Sequence, residues 1–244
     1  MPHLFLNRPR NFDLLAKHET VRKDLVWESL NAALYKIGGV IFIIGSVLFF
    51  PAFAKYADIG AWSFIAGSVL YLVVTGHDLL EVFNAGRHRE GEPSVWDRLE
   101  TLAALTYVTG TILFIVGSVC FLKRYDATEA GAYCFVVGSL LFVVGAVVNV
   151  LQIITAGSLI KLQLMNLTAL SFVTGSVLFA VASVPYLWTI ESKSDARELF
   201  SYLAFLYLTG SILFLLGGVF NYWRALLVIR GVARSQKLKP APVK

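Results

Sequence analysis

Asp78, Asn149 and Asn221 are the residues of this chain whose type and spacing come nearest to chemistry. Each follows the glycine of a repeated phrase by eleven residues. Eleven residues are about 1100° of helix, roughly 20° past three turns, so each polar group shares the face of its glycine. Repeat symmetry would then gather the three near one end of a bundle. His77 precedes Asp78, and Glu81 follows one turn later. A buried carboxylate among amides in a membrane is expensive and is often an ion or proton site. The alternative is that the asparagines bond between helices while Asp78 snorkels to water. No second histidine or cysteine stands at metal-ligand spacing from His77, and adjacent helical residues such as His77 and Asp78 point to different faces. No metal and no cofactor is therefore expected. His88, in the charged GRHREGE stretch, reads as part of a solvated connection.

Cys120 and Cys134 flank a loop symmetrically about residue 127. A helical hairpin would set them opposite each other, either as a disulfide on an oxidising face or as two buried thiols. Other reactive patterns are missing: there is no GxSxG, HExxH or phosphate-binding Gly-rich loop, so a non-enzymatic protein is expected.

The elements that must position these residues are apolar. Hydrophobic residues make up 57% of the 244 and charged residues 15%, with a mean hydropathy of +0.70, far from a soluble domain. A phrase recurs as GSVLFF from Gly45, GSVLYL from Gly67, GSVCFL from Gly117, GSLLFV from Gly138, GSVLFA from Gly175 and GSILFL from Gly210. Each copy lies in a run long enough to cross a bilayer. The spans are expected over residues 35–54, 61–82, 102–122, 132–154, 164–184 and 201–223. The start of the chain does not read as a cleavable signal, because Arg8, Pro9 and Arg10 cut its apolar stretch short.

Flanking residues show three copies of a hairpin. Odd spans align from Ser29, Thr101 and Asn166, and even spans from Gly60, Gly131 and, more loosely, Tyr202. The expected fold is thus an all-α polytopic membrane protein whose six transmembrane helices are three repeated hairpins. Its divisions are an N-terminal segment 1–34, hairpin units 35–100, 101–163 and 164–225, and a basic tail 226–244. Within the first segment, residues 11–34 read as an amphipathic helix on the inner leaflet, with Leu14, Leu15, Val21 and Leu25 interleaved with Lys17, Arg22, Lys23 and Asp24.

The GAYCFVVGSLLFVVG stretch from Gly131 and the GAWSFIAGSVLYLVV stretch from Gly60 resemble the second helix of the YrhK-like membrane domain, a two-helix family. The resemblance implies three tandem two-helix units over about residues 30–225. It implies an architecture and assigns no reaction.

Small residues recur seven apart, as Gly38 with Gly45, Gly110 with Gly117, Gly138 with Gly145, Gly175 with Ala182 and Gly210 with Gly217. Seven residues fall about 20° short of two turns, so each pair, like Gly67 in its own copy of the phrase, marks a helix-packing seam. The neighbouring Ser46, Thr111, Ser139 and Ser176 can bond back to their own helix or across to another.

Of the 21 lysines and arginines, sixteen fall on the side of both termini. Only Lys55, Lys123, Arg124, Lys193 and Arg197 fall on the other. The positive-inside rule places both termini in the cytoplasm, in a multi-pass protein of the plasma membrane. Such a basic face meets anionic lipid headgroups rather than nucleic acid. Three functions stay open: a structural or accessory protein that forms homo- or hetero-oligomers through its helices, a proton or small-ion transporter using Asp78, and a lipid-binding protein with a basic pocket near Lys36, Arg98 and Arg224.

Overall fold

The computed structural model describes residues 21–87, 91–151 and 159–237. Among these residues six α-helices run: α1 Val21–Leu48, α2 Ala57–Arg87, α3 Val95–Cys120, α4 Thr128–Leu151, α5 Leu159–Ser183 and α6 Lys193–Lys237. All six are long and apolar enough to cross a membrane, which points to a multi-pass membrane protein. Residues 11–20 of the expected amphipathic helix lie outside the described residues. The rest of that segment is continuous with the first span, since α1 runs unbroken from Val21.

Local chemistry sets the ends. Pro51 pushes Phe50 to extended backbone (φ −62°, ψ 139°), which stops α1 short of the expected residue 54 and opens a 3-10 turn, Pro51–Tyr56. After α5, Pro185 sits in the first positions of the 3-10 turn Val184–Leu187, which is entered from Ser183 still in helical backbone (φ −86°, ψ −30°). Ser94 and Asp97 form a reciprocal capping box that starts α3.

Each helix packs against its neighbours in sequence, and α6 returns to pack on α1. The bundle is therefore a closed ring of six. The end where α1 begins and α6 finishes is called basal below, and the other end apical.

Within each hairpin the predicted glycines form the seam. A Cβ built at Gly38 would lie 3.3 Å from the carbonyl oxygen of Gly67, and one at Gly67 would lie 3.1 Å from that of Gly38. Gly110 with Gly138 (2.9 and 3.1 Å) and Gly175 with Gly210 (3.1 Å each way) repeat the arrangement. Backbones approach this closely only where no side chain intervenes. Aromatic rings fill the flanking holes: Phe64 lies over Gly45, Phe135 over Gly117, Tyr107 over Gly145 and Phe172 over Gly217. The ring closes on a different seam, with Tyr35 of α1 seated on Gly218 of α6 and Leu215 of α6 seated on Gly39.

The axis is filled with rings. Phe64, Phe135 and Tyr207 occupy equivalent positions of the three even helices, and their centroids stand 5.9, 6.2 and 6.1 Å apart. This near-equilateral triangle is the pseudo-threefold symmetry of the triplicated hairpin. Phe114 stacks on Phe135 at 4.6 Å and Phe179 on Phe214 at 5.2 Å, within the range where ring pairs attract. Phe42, Tyr71, Phe142 and Phe214 are among the residues lining a void of about 10 Å³ open to water centres, at the lower limit for one water molecule.

Candidate functional site

Toward the basal end the aromatic filling gives way to polar groups. Asp78, Asn149 and Asn221 stand fourteen residues beyond Phe64, Phe135 and Tyr207, about 21 Å along each helix. Two heptads rotate by only about 40° in total, so the three face inward like the rings above them. All are buried, Asp78 at 4%, Asn149 at 1% and Asn221 at 3% exposure. Asp78 therefore does not snorkel to water.

Each member has its own surroundings. Asn149 donates from Nδ2 to the Tyr107 hydroxyl at 2.6 Å, joining α4 to α3. In the ring, α3 sits between α2 and α4. Asn221 accepts instead from Arg224 Nη2 at 3.0 Å, one turn along its own helix. The structure thus ties Asn149 to Tyr107 and pairs Asn221 with a buried guanidinium.

His77 departs from expectation. It is as buried as Asp78, and ligand atoms of His77, Asp78 and Glu81 lie within 4.8 Å of one another. Adjacent residues both face inward here because α2 is covered on two sides, by α1 and α3, so its buried arc exceeds the 100° between them.

Charge patterning alone missed the burial of two residues. Arg224, expected in a basic pocket facing headgroups, is 1% exposed, and Glu100 is also buried. The repeat alignment held the signal for Arg224, which occupies the position of Glu81, three residues past the Asp78 and Asn221 register. The three residues of the expected basic pocket have different surroundings. Arg98 is exposed on α3, Lys36 lies over the Tyr222 ring at 4.8 Å, and Arg224 is turned to Asn221.

The remaining candidates sort simply. Cys120 and Cys134 are half-buried free thiols, the second of the two states open to them. Of the four expected hydroxyls, Ser46 and Thr111 bond back to the carbonyl four residues earlier at 2.8 and 2.7 Å, whereas those of Ser139 and Ser176 are buried without a hydrogen-bond partner. Ser46 also reaches across to Ser211 at 3.0 Å. His88 lies outside the described residues.

Two hairpins with these seams match a family model directly: the model of the YrhK-like protein matches residues 26–83 and again residues 97–154. The chain thus carries two tandem YrhK-like units, each a two-helix hairpin. The third hairpin joins them through the equivalence of Tyr207 with Phe64 and Phe135, and of Gly175 and Gly210 with the earlier glycine pairs. No curated protein and no solved structure matches the chain.

Proposed function

We propose that the protein is a non-enzymatic structural or accessory component of the plasma membrane, with both termini in the cytoplasm. The observation that carries this reading is the filled axis: Phe64, Phe135 and Tyr207 close it where a conducting path would run, and such a path requires a polar or hydrated lining. Between 44% and 50% of each span's apolar window is buried inside the ring, and the rest turns outward. Ile37, Val40 and Ile44 on α1, and Val69 and Val73 on α2, are among the exposed side chains. These ridges meet lipid or the helices of a second membrane protein, in a homo- or hetero-oligomer. The basal lysines and arginines meet anionic headgroups.

The test is reconstitution of the full chain into liposomes loaded with pH-sensitive and cation-sensitive dyes, alongside cross-linking in native membranes. The expected result is proton and cation leak equal to that of protein-free vesicles, with a reproducible membrane-protein cross-link. Flux that disappears in Asp78→Asn would replace this reading with transport. A phospholipid retained stoichiometrically through purification and lost in Lys36→Ala would replace it with lipid binding.

A further inference from the structure

We propose that Cys120 and Cys134 are a redox-active dithiol that closes reversibly into a disulfide across the apical end of the α3–α4 seam. Both are half-buried free thiols, and each stands at the edge of the bundle. Cys120 is the last residue of α3, and Cys134 lies in the second turn of α4. A partly exposed thiol at such an edge is open to small reagents, whereas a fully buried one is inert.

The seam sets the spacing. A Cβ built at Gly117 would lie 3.0 Å from the Cβ of Cys134. One built at Gly131 would lie 2.9 Å from the Gly117 carbonyl oxygen and 3.1 Å from the Phe121 ring. Cys120 falls between Gly117 and Phe121, so residues on either side of it pack against the stretch of α4 that carries Cys134. Cβ atoms three residues apart on a helix are about 5–6 Å apart, which puts the Cβ of Cys120 within about 9 Å of that of Cys134. A disulfide draws that separation to about 3.8 Å. The turn after Cys120 takes up the movement, because α3 ends there. An electrostatic observation agrees, since the Cys134 thiol feels charge on Cys120.

Only the second hairpin carries the pair. The equivalent positions hold Leu48 with Ser63, and Pro185 with Leu206, so packing of the repeat does not require sulfur at either place.

The chemistry is exchange with a small-molecule disulfide. One cysteine thiolate attacks a sulfur of the reagent, forming a mixed disulfide and releasing one thiol. The other thiolate attacks the protein sulfur of that mixed disulfide and releases the second thiol. One S–S bond is broken in the reagent and one forms in the protein. Two electrons pass to the reagent, and both thiol protons end on the released thiols. The closed staple joins α3 to α4 across the turn between them. This property goes beyond the structural reading above, and it holds whichever side of the membrane the apical end faces.

The experiment uses the full-length protein in nanodiscs, incubated with oxidised glutathione, quenched with an alkylating reagent and read by intact and peptide mass. The wild type should lose both free thiols within one chain, retain no glutathione, and regain both thiols on reduction with dithiothreitol. Cys120→Ser should instead hold one glutathione on Cys134, because no second thiol is there to expel it. Cys120→Ser combined with Val116→Cys should form no internal disulfide, since Val116 is exposed on α3 whereas Gly117 meets Cys134. Wild-type thiols that stay free, that both retain glutathione, or that bridge only between chains would overturn the dithiol. Equal closure in the Val116→Cys variant would overturn it too, by showing that the thiols meet without the seam.

Discussion

At the level of Phe64 the three hairpins meet through aromatic rings about 6 Å apart. Fourteen residues further along the same helices they present Asp78, Asn149 and Asn221. The apical layer keeps threefold equivalence almost intact, with two phenylalanines and a tyrosine in one triangle. The basal layer breaks it, because Asn149 bonds to Tyr107, Asn221 bonds to Arg224, and Asp78 clusters with His77 and Glu81. Close packing tolerates little variation between copies, so the layer that closes the ring stays alike. Individual polar contacts in membranes contribute modestly, which leaves the basal layer free to diverge into asymmetric, and therefore potentially specific, chemistry.

The comparison breaks most sharply at the glycine seam. Gly110→Val would drive a side chain toward the Gly138 carbonyl oxygen, 2.9 Å from the added Cβ, and backbone cannot rotate aside. Loss of about 3 kcal/mol or more, or failure to insert as a stable bundle, is expected, read as a lowered midpoint in SDS-induced unfolding. Gly76→Ala on α2 provides the contrast, since nothing lies within 4 Å of its added Cβ. It should be neutral or stabilising by up to about 1 kcal/mol.

Next in size is Phe135→Ala, which removes one corner of the apical triangle and leaves a cavity. The expected cost is about 3 kcal/mol, measured by the same unfolding titration, together with a new water-accessible void detected by xenon binding. If the polar layer rather than the rings closed the axis, this substitution would be mild.

The smallest effect sharpens the basal side. Asn149→Ala should cost on the order of 1 kcal/mol, as interhelical hydrogen bonds in membranes do. A double-mutant cycle with Tyr107→Phe should show coupling of similar size between the two residues, 2.6 Å apart. Zero coupling would remove the link between α3 and α4 on which the asymmetric layer depends.

Much of this was legible in the chain itself. Glycines seven apart predicted the seam faces because helical period alone fixes which residues share a face, while the partners of Gly38, Gly110 and Gly175 across the seam, Gly67, Gly138 and Gly210, are seen only in the structure. Triplication placed Asp78, Asn149 and Asn221 in one register for the same reason. Closure of α6 on α1 was not legible, since Tyr35, Gly218 and Gly39, on which its contacts turn, fall outside the repeated phrase. Arg224 and Glu100 were hidden because hydropathy assigns a lone charge at a span's end to the headgroups. Their burial is set by neighbouring helices, which no local window contains. The apposition of His77 with Asp78 likewise depends on the two flanks of α2.

Ring closure is the central claim, and one disulfide tests it. In a background with Cys120→Ser and Cys134→Ser, the pair Ser46→Cys and Ser211→Cys replaces two hydroxyls 3.0 Å apart on α1 and α6. Mild oxidation in membranes should join them within one chain in nearly every copy, seen by mass spectrometry as a single cross-linked peptide pair. Thiols that stay free, or that bridge only between two chains, would contradict the closed ring.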